Sequence, residues 1–209
     1  MDRAHRARVE STGGLTARWK SGSDLNMNQN VCTFHFWMFL INHEGRGRSA
    51  GLRAQQKLQQ YINARPDVDL FRISLDGTRR LDVTCAAAGL LAVVRHYRGT
   101  RAICLINLAD RDVLENIAAV ADRMKVPVTV WNNGEGQVIG LAPDSVLHHA
   151  KSFALSRPEV RAGEYAAASG LSVTNASSRL KQLWEKGLLL RNEVIAKSGG
   201  AEYLYCPLR

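Results

Sequence analysis

"LSVTNASSRLKQLWEKGLLLR", Leu171 to Arg191, is the stretch whose reading decides the architecture. Val173, Ala176, Leu180, Leu183 and Trp184 recur at spacings of 3, 4, 3 and 1, which predicts an amphipathic helix with one apolar stripe. The opposite face carries Thr174, Asn175, Ser178, Lys181 and Gln182, with Ser177 and Arg179 on its flanks. Ser172 is placed to cap the helix and Gly187 to end it. One acid, Glu185, stands near its far end. Such a face is either solvated or reads a surface, and its neighbours decide between the two.

Upstream, "DSVLHHAKSFALS" (Asp144–Ser156) predicts a helix opened by an Asp or Ser cap. "RPEVRAGEYAAASG" predicts a short extended piece around Val160, then an alanine-rich helix stopped by Gly170, with Leu171 in a tight turn. Downstream, "LLLRNEVIA" and "AEYLYCPL" predict two strands around "KSGG", whose glycines accept positive φ. Helix, short strand, helix, turn, helix, hairpin is the order of a winged helix-turn-helix, whose third helix enters a major groove while the hairpin tip reaches the neighbouring backbone. Short Thr, Asn and Ser side chains allow close approach to bases and phosphates, and Arg and Lys neutralise phosphate. The candidate DNA-contacting residues are therefore Ser172, Thr174, Asn175, Ser177, Ser178, Arg179, Lys181, Gln182, Arg191, Lys197 and Ser198.

The same residues resemble the winged-helix transcription regulators of the MarR and ArsR type. The likeness lies in Ser172, Arg179-Leu180, Leu183, Gly187-Leu188, Arg191 and the "SGG.EY.Y" of Ser198–Tyr205, and covers roughly the last 65 residues. It implies double-stranded DNA as partner and a homodimer reading paired half-sites.

Composition agrees. Hydrophobic content of 45% and charged content of 22% in 209 residues are those of a globular chain with room for one large or two small domains. The net charge of +9 favours anionic partners. Divided after Ala50 and Ala142, the chain carries a basic excess of three in each part, so no single tail explains it. None of the four cysteines forms a C-x-x-C pair, and three lie in apolar runs, which predicts reduced thiols in a cytoplasmic protein and no structural zinc. The longest apolar run, "VCTFHFWMFLI" (Val31–Ile41), is shorter than the roughly 20 residues of a membrane helix and lies too deep for a secretion signal, so no membrane is expected. Residues 1–28 are polar and Gly/Ser/Arg-rich and predict a disordered basic tail, within which Met27 is a second possible start.

Between residues 29 and 142 apolar runs alternate with helical patterns. "VCTFHFWMFL", "LFRISL", "AICLINL" and "VPVTVW" predict strands. "GLRAQQKLQQYINA", with Leu52, Leu58, Tyr61 and Ile62 as its apolar residues, "TCAAAGLLAVVRHY" and "RDVLENIAAVADRMK" predict helices. That alternation predicts an α/β domain with a mostly parallel sheet and covering helices, then a domain boundary near Pro143 and the small α+β winged-helix domain over 143–209. "GEGQVIG" (Gly134–Gly140) has neither the spacing nor the position of a dinucleotide loop and predicts a turn between domains. His148 and His149 are adjacent on a helix and point about 100° apart, so they cannot share a metal. No carboxylate pair, Ser/His/Asp order or metal spacing emerges, and neither catalysis nor a cofactor is expected.

"ISLDGTRRLDVTCAAAGLL" (Ile73–Leu91) with the following "RAICLINL" resembles the STAS domain of sulfate transporters and anti-sigma factor antagonists, especially its bacterial STAS-like relatives, over about residues 45 to 131. The resemblance implies sensing, dimerisation or a protein partner. In the antagonists a phosphorylatable serine stands at a helix start, where an anion is favoured. Asp82 and Thr84 are the matching regulatory candidates, with Thr-Cys in place of Ser-Gly. The expectation is a DNA-binding transcription regulator. The alternatives are an adaptor whose two modules bind proteins, or a nucleotide sensor similar to the CRISPR-associated Rossmann regulators.

Overall fold

A computed structural model describes residues 30–142, 145–196 and 199–209. The expected tail, the Met27 start, the Asp144 cap, the boundary at Pro143, and the candidate residues Lys197 and Ser198 lie outside the described residues.

The molecule is mixed α/β, built on a five-stranded, mostly parallel sheet in the order β1 (Val31–His35), β3 (Leu70–Ser74), β5 (Ala102–Ile106), β6 (Val128–Asn132), β7 (Glu135–Ile139). The first four strands are parallel and β7 returns antiparallel to β6. Strand order never reverses, and right-handed crossovers running one way put every connecting helix on one face. Those helices are α1 (Gly47–Asn63), a continuous helix of α2 (Val83–Cys85), a π-helical stretch (Ala86–Leu91) and α3 (Ala92–Tyr97), and α4 (Arg111–Met124). They pack on the ladder rows Phe34, Ile73, Leu105, Val130 and Phe71, Ile103 to form the larger core.

Two local devices hold that layer. Added Cβ atoms at Gly51 and Gly89 would lie 2.8 Å from the Cys85 carbonyl oxygen and 3.1 Å from that of Gly51, so α1 and the π-helical stretch cross backbone to backbone. This is what the small-residue run Ala86–Gly89 is for. Second, the Asp82 carboxylate accepts from the Gly47 amide at 2.6 Å, from the Cys85 amide at 2.7 Å and from the Thr84 hydroxyl at 2.8 Å. One side chain thereby caps two helices. A two-stranded parallel pair, β2 (Glu44–Gly45) and β4 (Arg80–Leu81), brings the two helix starts together.

Several sequence expectations change here. The ten-residue strand from Val31 is only five residues long, because Phe36–Phe39 turn into a 3-10 helix that buries Phe36 and Phe39 against the core. The helix expected from Gly51 begins at Gly47, and its Leu52 points outward, 47% exposed, while Gly51, Ala54, Leu58 and Ile62 are buried. The "GEGQVIG" stretch is not an interdomain turn. Its residues Glu135–Ile139 form β7, with Gly136 beneath the Trp131 indole, which leaves no room for a Cβ. Three cysteines are buried as hydrophobes, and burial pushes their thiols up, Cys85 to about 11 and Cys104 and Cys206 to about 12. No helix of the described residues is long and apolar enough to cross a membrane.

After β7 the chain forms α5 (His148–Leu155), β8 (Val160–Arg161), α6 (Ala162–Ser169), α7 (Val173–Glu185), β9 (Leu189–Ile195) and β10 (Ala201–Pro207). The three strands form a second, antiparallel sheet in the order β8-β10-β9. A second core gathers Leu147, Ala150, Val160, Tyr165, Leu180 and Leu183. The expected cap of α5 is not at its start, since the helix begins at His148 and Ser145 Oγ accepts from the Leu147 amide at 3.3 Å.

These elements cover the helix-free face of the large sheet. Leu190 and Leu208 pack on Leu70, Ala102, Cys104 and Trp131. Arg72 donates to the Arg209 carbonyl, and the Arg209 guanidinium donates to the carbonyls of Leu155 at 3.2 Å and Arg157 at 2.9 Å.

Two outcomes test the helix layer. Gly51→Ala should cost about 1–3 kcal/mol in thermal unfolding, because its methyl meets backbone. Burial raises the Asp82 carboxyl, but the hydrogen bonds from Cys85, Gly47 and Thr84 outweigh it and hold it below its usual range. Its folded value is depressed, so its stabilisation is present above the unfolded carboxyl value and is lost as pH falls through the folded one. Asp82→Ala should cost about 1–2 kcal/mol in urea unfolding at neutral pH, and the difference from wild type should shrink in strong acid.

Candidate nucleic-acid interface

Helix α7 follows α6 through Gly170, which takes the left-handed φ of 66° that a side chain would resist, and Leu171. Ser172 caps it, its Oγ accepting from the Asn175 amide at 3.2 Å. Ala176, Leu180 and Leu183 are fully buried against α5 and α6, and this fixes which side faces out. The outward side presents Ser172, Thr174, Asn175, Ser178, Lys181 and Gln182, all exposed, and the flanking Ser177 and Arg179 are half-buried. The sequence stripe thus has the right axis, with one correction: Val173 is 59% exposed. It sits in the first turn, beyond the reach of the core, and adds an apolar tip to the polar face.

Lys181 Nζ lies 3.6 Å from the Glu185 carboxylate in an exposed i,i+4 pair. Such a pair is worth only about 0.3–0.5 kcal/mol, so the ammonium can leave it cheaply for a phosphate.

The hairpin of β9 and β10 stands beside α7, closed by the Ala196 amide donating to the Gly200 carbonyl at 2.7 Å. Ile195 near its tip is 84% exposed. Arg191, grouped with the DNA-contacting candidates by sequence, is not gathered with α7's outward face. Its guanidinium lies between the rings of Trp184, 3.7 Å from the centroid, and Tyr203, 4.3 Å away, and borders a cleft against the large sheet. Its charge is held by two aromatic faces.

The regulatory candidates lie elsewhere. Asp82 and Thr84 are at the carboxyl edge of the large sheet, whereas the turn after α7 lies by its amino edge, against Arg98 and Gly99–Ala102. Thr84 is exposed, but its hydroxyl donates to Asp82, so a phosphate there would lie against a carboxylate. The open cleft of about 830 Å³ at that edge mixes Arg46, Arg79 and Arg80 with Glu44, Asp82, Asp110, Asp112 and Glu115. The starts of α2 and α4 are filled by the carboxylates of Asp82 and Asp110, the latter accepting from the Val113 amide at 2.9 Å. A nucleotide phosphate would meet like charge there. His148 and His149 diverge, one at 2.8 Å from the Ala142 carbonyl and the other at 3.2 Å from the Tyr165 hydroxyl.

No family model matches the chain, and no curated protein matches it significantly.

Position on α7 should govern stability sharply. Leu180→Ala should cost about 2–5 kcal/mol in urea unfolding, whereas Thr174→Ala should change it by less than about 0.5 kcal/mol.

Proposed function

We propose that the chain is a DNA-binding transcription regulator, with residues 143–209 forming a winged helix-turn-helix and residues 29–142 a STAS-like unit that senses or dimerises. One observation carries the reading. Thr174, Asn175, Ser178, Lys181 and Gln182 stand exposed along one side of α7, opposite its buried stripe, on a helix joined to α6 by a short turn and flanked by a hairpin. Asn and Gln match the donor–acceptor pair of adenine in the major groove, and Lys181 and Arg179 suit phosphates. Val173 adds an apolar contact of the kind that reads a thymine methyl. A homodimer would present two such helices to paired half-sites.

The second reading, a protein-interaction adaptor, draws on the exposed apolar tips Val173 and Ile195. A nucleotide sensor finds less support, because ligands of open α/β sheets sit where strand order reverses, and here it does not.

Salt dependence separates the readings. Fluorescence anisotropy with duplex DNA should show affinity falling steeply with salt. Arg179→Ala and Lys181→Ala should each weaken binding several-fold and lower the magnitude of the salt slope by about 1. Absent or salt-insensitive binding would favour the adaptor. Val173→Ala should leave the slope alone and relax preference at one T position.

A further inference from the structure

The amino edge of the large sheet and the end of α7 enclose a cleft of about 250 Å³, lined by Asp69, Thr100, Arg101, Trp184, Leu190 and Arg191 among others. Its charges do not cancel. Arg101 donates to the Pro66 carbonyl at 2.6 Å and the Val68 carbonyl at 3.1 Å, neutral acceptors that fix the guanidinium without neutralising it. Arg191 is held between aromatic faces, and such stacking likewise leaves its charge unpaired. Against these two lining cations stands one lining carboxylate, Asp69, which accepts from the Asn30 amide at 3.1 Å. The lining side chains therefore carry one more positive than negative charge. The floor of Ala102, Leu189 and Leu190 is apolar.

We propose that this cleft binds a small organic monoanion, its carboxylate or phosphate-ester oxygens taken by the guanidinium edges of Arg101 and Arg191 and its carbon part by the leucines. Guanidinium edges suit planar, two-oxygen acceptors. The volume is below that of sites for drug-sized ligands and fits a simple metabolite.

The occupant would bear on Trp184 and Gly187 at the end of α7, so ligand and DNA affinities would change each other by the same factor. That coupling rests on the proposed function. The binding does not, so a titration without DNA keeps the two apart.

Isothermal titration of the full chain at constant ionic strength, with acetate, pyruvate, benzoate and dimethyl phosphate as probes, tests the site. Saturable binding of at least one probe is expected. Arg101→Gln, Arg191→Gln and Thr100→Trp should each weaken it tenfold or more, the last by filling the cleft without removing a charge. Arg46→Gln at the opposite edge should leave it unchanged. Should Arg191→Gln fail to fold, the other two variants carry the test. No saturable binding at millimolar probe, or binding indifferent to Arg101 and Thr100, overturns the site.

Discussion

Strand order in the large sheet advances from β1 to β3, β5 and β6 without turning back, and most of the molecule follows from that constraint. Right-handed connections then stack all the helices on one face and leave the other bare. That face carries Leu70, Ala102 and Cys104 around the longer Arg72, with Trp131 at its side, and cannot be left to water. Leu190 and Leu208 cover it. Leu190 belongs to β9 and Leu208 directly follows β10, so the same burial that completes the large sheet also seats the hairpin beside α7. Arg72 and Arg209 fasten the contact with hydrogen bonds to main-chain oxygens. Such bonds fix geometry, while the apolar rows supply most of the free energy.

The arrangement puts different chemistry at the two ends of the sheet. At the carboxyl edge, carboxylates cap the helices and arginines stand among acids, so local charge is largely spent inside the protein. At the amino edge and along α7 the positive charge is left over. Among the described residues, basic charge spread along the sequence thus becomes directional once the chain is folded.

The sequence is legible where its local signals agree with one another, and not where tertiary pairing decides. The α7 stripe, its Ser172 cap and the strands around "KSGG" were readable because periodicity, capping and turn chemistry agree there. β7 was missed because an antiparallel edge strand of Glu, Gly and Gln offers no apolar alternation, and its pairing with β6 is what makes it a strand. The 3-10 turn of Phe36–Phe39 hid inside an aromatic run that local propensity reads as strand. Val173 fits a helical stripe yet points outward because a stripe at a helix's first turn can outrun the core beneath it. Leu52, in the second turn of α1, lies off the side that buries Gly51, Ala54, Leu58 and Ile62. Arg191 was legible as a cation but not as one enclosed by Trp184 and Tyr203, since that requires the hairpin to be folded.

The central claim is that the outward face of α7 reads base sequence. Selection from a pool of randomised duplexes, run with wild type and with Asn175→Ala, tests it most directly. The account predicts that wild type enriches a defined motif of paired half-sites and that the variant loses preference at one base position within each. Enrichment of no motif, or a motif that Asn175→Ala leaves unchanged, would contradict it.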